Sequence, residues 1–405
     1  MNKLQSEYKL PNGSILKNRI AKSAMSENIA DRNHQPTKAL INAYRRWAKG
    51  NPGLLITGNV MVDSNALGEP DNVVVENRDF MPLLKEWADT VKETDTHLWV
   101  QINHPGRQAM EQVNRELVGP SSVPIQLPGR KASSKTIPKE LLDEEILEII
   151  ERFGNTALIL KEAGFTGVQI HAAHGYLISQ FLSPLANVRT DRWGGSIENR
   201  ARFLMEVYKN IRVKVGTEFP IGIKLNSADF QNGGFSEDES MAVVQMLSQE
   251  GIDLIEISGG TYEAPAMVAG TQKKSTQKRE AYFLDYIEKV RVKTKAPLML
   301  TGGFRTIEGM ESAIESGVLD IVGIARPFAV YPDLPNQIFK QEKNIFNIEN
   351  PTTGVKAVDG FMGLIWYEAQ IKRLGDGKYP KENLGAWYAF FWYMTKVMRK
   401  SFRMR

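Results

Sequence analysis

Short apolar runs alternate with longer amphipathic stretches along most of the chain. Eight of these runs are rich in Val, Ile and Leu, and they cover residues 20–25, 54–62, 97–103, 167–172, 221–226, 254–260, 297–303 and 321–328. Continuous apolar runs of this length are typical of strands that are buried on both faces of a parallel sheet. The pattern therefore predicts eight buried strands.

The stretches between the runs have the periodicity of amphipathic helices. Residues 141–164 and 196–216 are two clear examples, and both end at a glycine, the residue preferred just after the last helical turn. Eight strand–helix units in succession predict an α/β fold, a (β/α)₈ TIM barrel. The alternative is a doubly wound open sheet, which would ideally carry a GxGxxG turn after its first strand. The sequence has no such turn there.

The repeat ends near residue 335, so we divide the chain into a barrel, residues 1–335, and a helical C-terminal extension, residues 336–405. The extension contains two helical stretches, 356–375 and 383–405. In the second, one face collects Trp387, Phe390, Phe391, Met394, Met398 and Phe402. Three roles stay open for this helix: packing on the barrel, an interface in a homo-oligomer, or weak contact with an anionic membrane surface.

Composition narrows the function. The 405 residues include 51 basic and 47 acidic ones, and a net charge of +4 is too small to indicate a nucleic-acid partner. There is no cysteine, which excludes disulfides, thiolate metal ligands and iron–sulfur clusters. The N-terminus lacks the apolar segment of a secretory signal, and the apolar tract at 386–394 is shorter than the ~20 residues that span a membrane. We expect a cytoplasmic protein.

Active sites of such barrels lie at the C-terminal ends of the strands. The fourth run ends in His171, followed closely by His174 and Tyr176. The two histidines could be metal ligands, buried packing residues, or paired donors to a substrate oxygen. A metal site would need a third ligand, and no HExxH motif is present. We favour the donor pair, with Tyr176 as a proton donor that stays protonated at neutral pH, and we expect no metal.

A phosphate site is predicted at the ends of the last two strands. Gly302 and Gly303 let the backbone approach an anion, and Arg326, after Ala325, supplies charge. A buried lysine needs a partner, either a carboxylate or an electron-rich ring edge, and Lys224 lies in an otherwise apolar run. A ligand with a phosphate at one end and an amide-like ring at the other end is suggested by these residues, and flavin mononucleotide (FMN) is such a ligand. Long connections at 104–137 and 261–281 are predicted to cover the mouth of the barrel, at the C-terminal ends of its strands.

The sequence resembles the old yellow enzyme family of FMN-dependent NAD(P)H oxidoreductases over roughly residues 8–335. The most specific match is HAAHGYLISQFLSPLANVRTDRWGGSIENRARF, from residue 171 to 203, and LKNRIAKSAM, VQINHPGRQ, GGFRT and GIARPF occur in the family's order. The resemblance implies a barrel that holds FMN non-covalently and takes electrons from NADH or NADPH. Without cysteines, the chain corresponds to the type that has no iron–sulfur cluster.

The resemblance also implies roles for individual residues. The flavin would be lined by Ala24, Met25, Ser26 and Asn59, addressed at its pyrimidine edge by Gln101 and Lys224, and held at its phosphate by Gly302, Gly303, Ala325 and Arg326. His171 and His174 would bind the oxygen of an α,β-unsaturated carbonyl or nitro compound, and Tyr176 would protonate Cα. Many relatives have arginine in place of Lys224, and one branch has a redox-tuning cysteine in place of Ser26.

The leading interpretation is therefore an ene-reductase that uses hydride from flavin N5. Two alternatives come from other classes of function. One is a flavin-free barrel lyase or aldolase in which Lys224 forms a Schiff base. The other is a non-catalytic barrel scaffold, against which the set of His171, His174 and Tyr176 speaks.

Overall fold

The computed structural model describes residues 3–126, 136–260, 284–342, 344–346 and 348–403. The predicted covering loop at 261–281 lies outside these residues, as do residues 127–135 of the other one. Within the described part, a closed barrel is formed by β1 (Ile20–Lys22), β2 (Leu54–Ile56), β3 (His97–Asn103), β4 (Gly167–Ala172), β5 (Ile221–Asn226), β6 (Leu254–Ser258), β7 (Leu298–Thr301) and β8 (Ile321–Ile324).

Each barrel strand lies inside one of the eight apolar runs. Strands that follow one another in the sequence are parallel neighbours in space, and β8 pairs with β1 to close the ring. Closure removes both sheet edges, so every strand is hydrogen-bonded on two sides. The predicted α/β TIM barrel is confirmed.

Helices surround the barrel and continue beyond it. They are α1 (Lys38–Lys49), α2 (Met81–Ala88), α3 (Asp143–Ala163), α4 (Leu177–Leu182), α5 (Ile197–Val215), α6 (Glu237–Gln249), α7 (Leu284–Arg291), α8 (Ile307–Glu315), α9 (Pro327–Val330), α10 (Leu334–Phe339), α11 (Lys356–Gly375) and α12 (Ala386–Arg403). Helices α3 and α5 end directly before the glycines that the sequence marks as caps.

The barrel interior is apolar near the strand N-termini and polar near their C-termini. The ring of Trp99 fills the apolar part, where a Cβ on Gly167 or Gly222 would lie 2.5 or 2.7 Å from it. Both glycines are therefore required by close packing. Two residues further along the same strands, the inward positions are Gln101, Gln169 and Lys224. Since side chains alternate between the two faces of a strand, this second layer lies directly above Trp99.

The extension packs on the barrel through α11 and α12, but not with the face that the sequence favours. Trp387, Phe391 and Met398 are 44%, 61% and 49% exposed, whereas Ala389 and Lys396 of the same helix are buried. No helix of the described residues is long and apolar enough to cross a membrane. The boundary at residue 335 falls inside α10 and stays a prediction, as does an interface with a second copy or a membrane surface.

Candidate active site

A polar network fills the barrel interior above Trp99. Lys224 Nζ lies 2.9 Å from Glu256 Oε1, on the neighbouring strand, and the two side chains are 4% and 0% exposed. Gln169 donates to Glu256 Oε2 at 2.7 Å, and Gln101 donates to Gln169 Oε1 at 2.8 Å. Thr301 donates to Glu256 Oε1 at 2.7 Å. The carboxylate partner expected for Lys224 is therefore Glu256.

His171 and His174 lie together at the end of β4, as the sequence predicts for strand-end residues. Their ring centroids are 5.3 Å apart at an interplanar angle of 81°. The backbone N–H of Ala173 donates to His171 Nδ1 at 3.3 Å, so the proton of a neutral His171 ring is on Nε2. His174 Nε2 lies 2.8 Å from Ser258 Oγ at the end of β6. If Ser258 donates this bond, His174 carries its proton on Nδ1.

Both histidines are held in the neutral form. Burial, followed by the positive charge of Lys224, lowers the pKa of His174 from 6.5 to about 3. Burial, then His174, then Lys224 lower the pKa of His171 well below its ordinary value. At neutral pH each ring therefore has one N–H to donate and adds no net charge.

The backbone of His174 has a left-handed conformation that two side chains hold in place. His174 has φ 60°, an uncommon conformation for a residue other than glycine. Its N–H donates to Asn226 Oδ1 at 3.1 Å, and its carbonyl accepts from Gln108 Nε2 at 2.8 Å. Because both backbone groups are bonded to side chains, the left-handed conformation is held by its surroundings.

Tyr176 completes the cluster. Its ring lies 4.7 Å from that of His171, centroid to centroid, at 82°. Asn59, from the segment after β2, donates to Tyr176 Oη at 3.4 Å. The phenol is 7% exposed and lies just before α4. The structure therefore brings together two neutral imidazoles, a phenol and an amide, each from the C-terminal end of the barrel.

Three consecutive residues after β1 turn toward the mouth of the barrel. Ala24, Met25 and Ser26 are partly exposed, whereas the residues on either side of them are buried. Asn59 is partly exposed as well, between buried neighbours. These residues therefore interrupt two otherwise buried segments of the chain.

The residues predicted to bind phosphate lie at the ends of β7 and β8. Gly302 and Gly303 have φ of 119° and 98°, conformations that glycine adopts readily. Both are partly exposed, as are Ala325 and Arg326. Arg326 Cζ lies 5.9 Å from the ring centroid of Tyr367, which belongs to α11. Within the described residues, Tyr367 Oη is buried without a hydrogen-bond partner.

The sequence did not reveal the residues that hold the predicted ones in place. Gln169 and Glu256 stand at inward positions of apolar strands, and Ser258 and Asn226 orient His174 from other strands. A polar residue flanked by Val or Ile within a strand was the available signal for the first two.

In the described part of the chain, no group of three or more His, Asp or Glu side chains could hold a metal ion.

Known proteins are similar to this chain in both sequence and fold. The model of the NADH:flavin oxidoreductase / NADH oxidase family matches residues 9–344. The NADH-dependent flavin oxidoreductase iliE of Hypocrea jecorina (strain QM6a) is 38% identical over 347 residues, which cover 80% of this chain and 86% of the relative. The NADH-dependent flavin oxidoreductase iccE of Talaromyces variabilis is 35% identical over 399 residues, 89% of this chain and 95% of the relative. The solved old yellow enzyme homologue from Zymomonas mobilis is 25% identical with a TM-score of 0.73, covering 89% of this chain and 99% of that one.

Proposed function

We propose that this member of the NADH:flavin oxidoreductase / NADH oxidase family reduces activated C=C bonds. The chain is an NAD(P)H:flavin oxidoreductase of the old yellow enzyme type with non-covalently bound FMN. Its substrates would be α,β-unsaturated carbonyl or nitro compounds. The observation that carries this proposal is the juxtaposition of two neutral histidines with Tyr176 at the end of β4.

The residues at the mouth of the barrel fit FMN. Gly302 and Gly303 offer a backbone cradle for the phosphate, with Arg326 nearby as the countercharge. The buried hydroxyl of Tyr367 beside Arg326 lacks a partner within the described residues, which an anion's oxygen would supply. We assign the phosphate to this end of the site.

The flavin ring would lie at the other end of the mouth. Lys224 and Gln101 both point into the barrel interior from its second layer, where they would address the pyrimidine edge. The partly exposed segment Ala24, Met25 and Ser26, together with Asn59, would line the ring. Bound FMN accepts hydride from NADH or NADPH and supplies it to the substrate; the protein supplies orientation and electrostatics.

The histidine pair would bind the substrate through the oxygen of its activating group. Neutral His171 donates through Nε2–H, and His174 donates through Nδ1–H when Ser258 donates to its Nε2. Two N–H donors aimed at one oxygen stabilise the negative charge that develops there as hydride reaches Cβ. Since the donors are fixed by neighbouring hydrogen bonds before the reaction, they need little reorganisation during it.

Tyr176 would deliver the proton to Cα. Its ring packs edge-on against His171, so a substrate whose oxygen lies between the histidines has its adjacent carbons near the phenol. Asn59 donates to Oη, which helps to hold the phenol in place beside the histidines.

The Schiff-base alternative is weakened by Glu256. A lysine that forms a Schiff base must offer a free amine, but Lys224 Nζ is held in a buried ion pair at 2.9 Å. The scaffold alternative gives no reason for a strained His174 backbone beside a phenol. We therefore retain the ene-reductase as the proposed function.

The test separates the two half-reactions by stopped-flow absorbance. Tyr176→Phe should leave reduction of FMN by NAD(P)H within about twofold of wild type, because Tyr176 takes no part in that step. Reoxidation of the reduced enzyme by cyclohexenone should slow by about 10²- to 10⁴-fold, the contribution typical of a general acid. If Tyr176→Phe instead slows FMN reduction and leaves reoxidation unchanged, the assigned role of Tyr176 is wrong.

A further inference from the structure

Two buried carboxyl groups from distant parts of the chain meet beside Ser26. Glu69 follows β2, Glu368 belongs to α11 of the extension, and the two side chains lie within hydrogen-bonding reach of each other. They are 8% and 0% exposed. In the described part of the chain, neither Oε1 atom has a hydrogen-bond donor. A proton shared between the two groups supplies the missing donor, because two adjacent buried carboxylates cannot both ionise.

The charged groups around the pair favour one shared proton. Burial, followed by Glu69, raises the pKa of Glu368 well above its ordinary value, while Lys396 and Asn28 oppose the shift. Asn28 Nδ2 donates to Glu368 Oε2 at 3.0 Å. Lys396 Nζ, from α12, donates to the Asn28 carbonyl and lies 3.5 Å from Asp71 Oδ2. Glu368 is therefore the partner that carries the shared proton.

Ser26 connects this pair to the mouth of the barrel. Its hydroxyl donates to Glu69 Oε2, while the residue itself is partly exposed beside Ala24 and Met25. A hydroxyl group has a single proton. As long as Ser26 gives that proton to Glu69, it can offer a flavin only its oxygen lone pairs.

We propose that Glu69 and Glu368 are positioning residues that act on the flavin through Ser26. Glu368 donates to one oxygen of Glu69 and Ser26 to the other, so Glu69 withholds the Ser26 proton from the flavin. This inference rests on the proposed FMN contact of Ser26 but not on the identity of the substrate. It also gives the C-terminal extension a role, because α11 supplies Glu368 and α12 supplies Lys396.

The arrangement lowers the tendency of the flavin to take up electrons. Hydride uptake adds negative charge to the ring, which a nearby carboxylate disfavours and a donated hydroxyl proton would favour. Glu69→Gln removes the carboxylate and lets Ser26 donate to the flavin. At a fixed potential, the ratio of reduced to oxidised FMN should rise about tenfold, which is about 30 mV for a two-electron couple.

The experiment measures the FMN reduction potential of the holoenzymes anaerobically, by equilibration with reference dyes at pH 7. The variants are Glu69→Gln, Ser26→Ala, the double variant, and Glu162→Gln, an exposed carboxylate paired with Arg78, as the matched control. The tenfold rise should occur in Glu69→Gln, and the control should stay within about twofold of wild type. In the Ser26→Ala background the effect of Glu69→Gln should fall to about twofold or less.

Glu368→Gln is the conservative variant, because it should preserve the hydrogen bonds that Glu368 makes in the wild-type protein. The glutamine amide can donate to Glu69 and accept from Asn28, as protonated Glu368 does, so the reduced-to-oxidised ratio should stay within about twofold of wild type. If Glu69→Gln does not fold, Glu69→Asp replaces it; the shorter side chain releases Ser26, and the ratio should rise about threefold.

Three results would overturn the inference: an unchanged potential in the Glu69 variant, an equal shift in the presence and absence of the Ser26 hydroxyl, or a tenfold shift in Glu368→Gln. Each of them concerns the potential of bound FMN and leaves the proposed function standing. Failure of the wild-type protein to turn over cyclohexenone or any other activated alkene would instead refute the proposed function and leave these potentials measurable.

Discussion

The neutral state of His174 predicts that this residue makes the protein sensitive to acid. Its pKa is lowered from 6.5 to about 3, so between these values the unfolded chain binds a proton that the folded protein does not. Stability therefore rises with pH in this window: the contribution is complete above pH 6.5 and is lost as the pH falls toward 3. His174→Asn removes this titration, and asparagine can still accept a hydrogen bond from Ser258.

The magnitude follows from proton binding. Between pH 7 and pH 5, an unfolded histidine with a pKa of about 6.5 goes from roughly one-quarter to nearly fully protonated, while folded His174 stays neutral. The corresponding loss is about 2 kcal/mol, an upper bound because His174 as a residue is partly exposed. Buried groups with raised pKa values, Glu27 and Glu368, act in the opposite direction. Only the difference between wild type and variant isolates His174.

The assay is urea unfolding at pH 5, 7 and 9 with FMN in constant excess. From pH 7 to pH 5, the free energy of unfolding of wild type should fall by about 1–2 kcal/mol more than that of His174→Asn. From pH 9 to pH 7 the two proteins should change in parallel, since the folded and unfolded histidines are then both mostly neutral. Equal losses between pH 7 and pH 5 would show that His174 is not held neutral, and would refute the argument for a neutral donor pair.

Two further predictions concern the buried charges and the phosphate site. Glu256→Gln leaves Lys224 buried without a countercharge and should lower the free energy of unfolding in urea by about 3–5 kcal/mol. The control Glu237→Gln breaks the exposed pair with Lys289 and should lower it by under about 1 kcal/mol. Equal losses in the two variants would contradict the buried pair. Arg326→Gln should weaken FMN binding about ten- to a hundredfold by fluorescence titration, and unchanged affinity would move the phosphate elsewhere.

The barrel could be predicted because its signal is local and repeated. Each strand lies within one apolar run, and closure of eight units needs no further information from the sequence. His171 and His174 could be located for the same reason, since strand ends in a barrel converge on one rim. The need of Lys224 for a partner was also predictable from burial alone, although its identity was not.

The missed features depend on contacts between distant segments. Glu256 is only one polar residue in an apolar run until the barrel places it beside Lys224. In α12, helical periodicity groups Trp387 with Phe391. The structure instead buries Lys396, because its ammonium group binds the Asn28 carbonyl and lies near acidic side chains of the barrel. A helical pattern cannot reveal which face meets a partner when that partner is polar.

The most direct test of the central claim is an anaerobic absorption spectrum of the purified protein, recorded alone, after NADH or NADPH, and again after cyclohexenone. We predict flavin bands that bleach with the reduced nicotinamide and return with the enone, which would establish both half-reactions in one cuvette. Bands that bleach but do not return with any activated alkene would contradict the proposed ene-reductase. A colourless protein that cannot be reconstituted with FMN would contradict the assignment of the whole site.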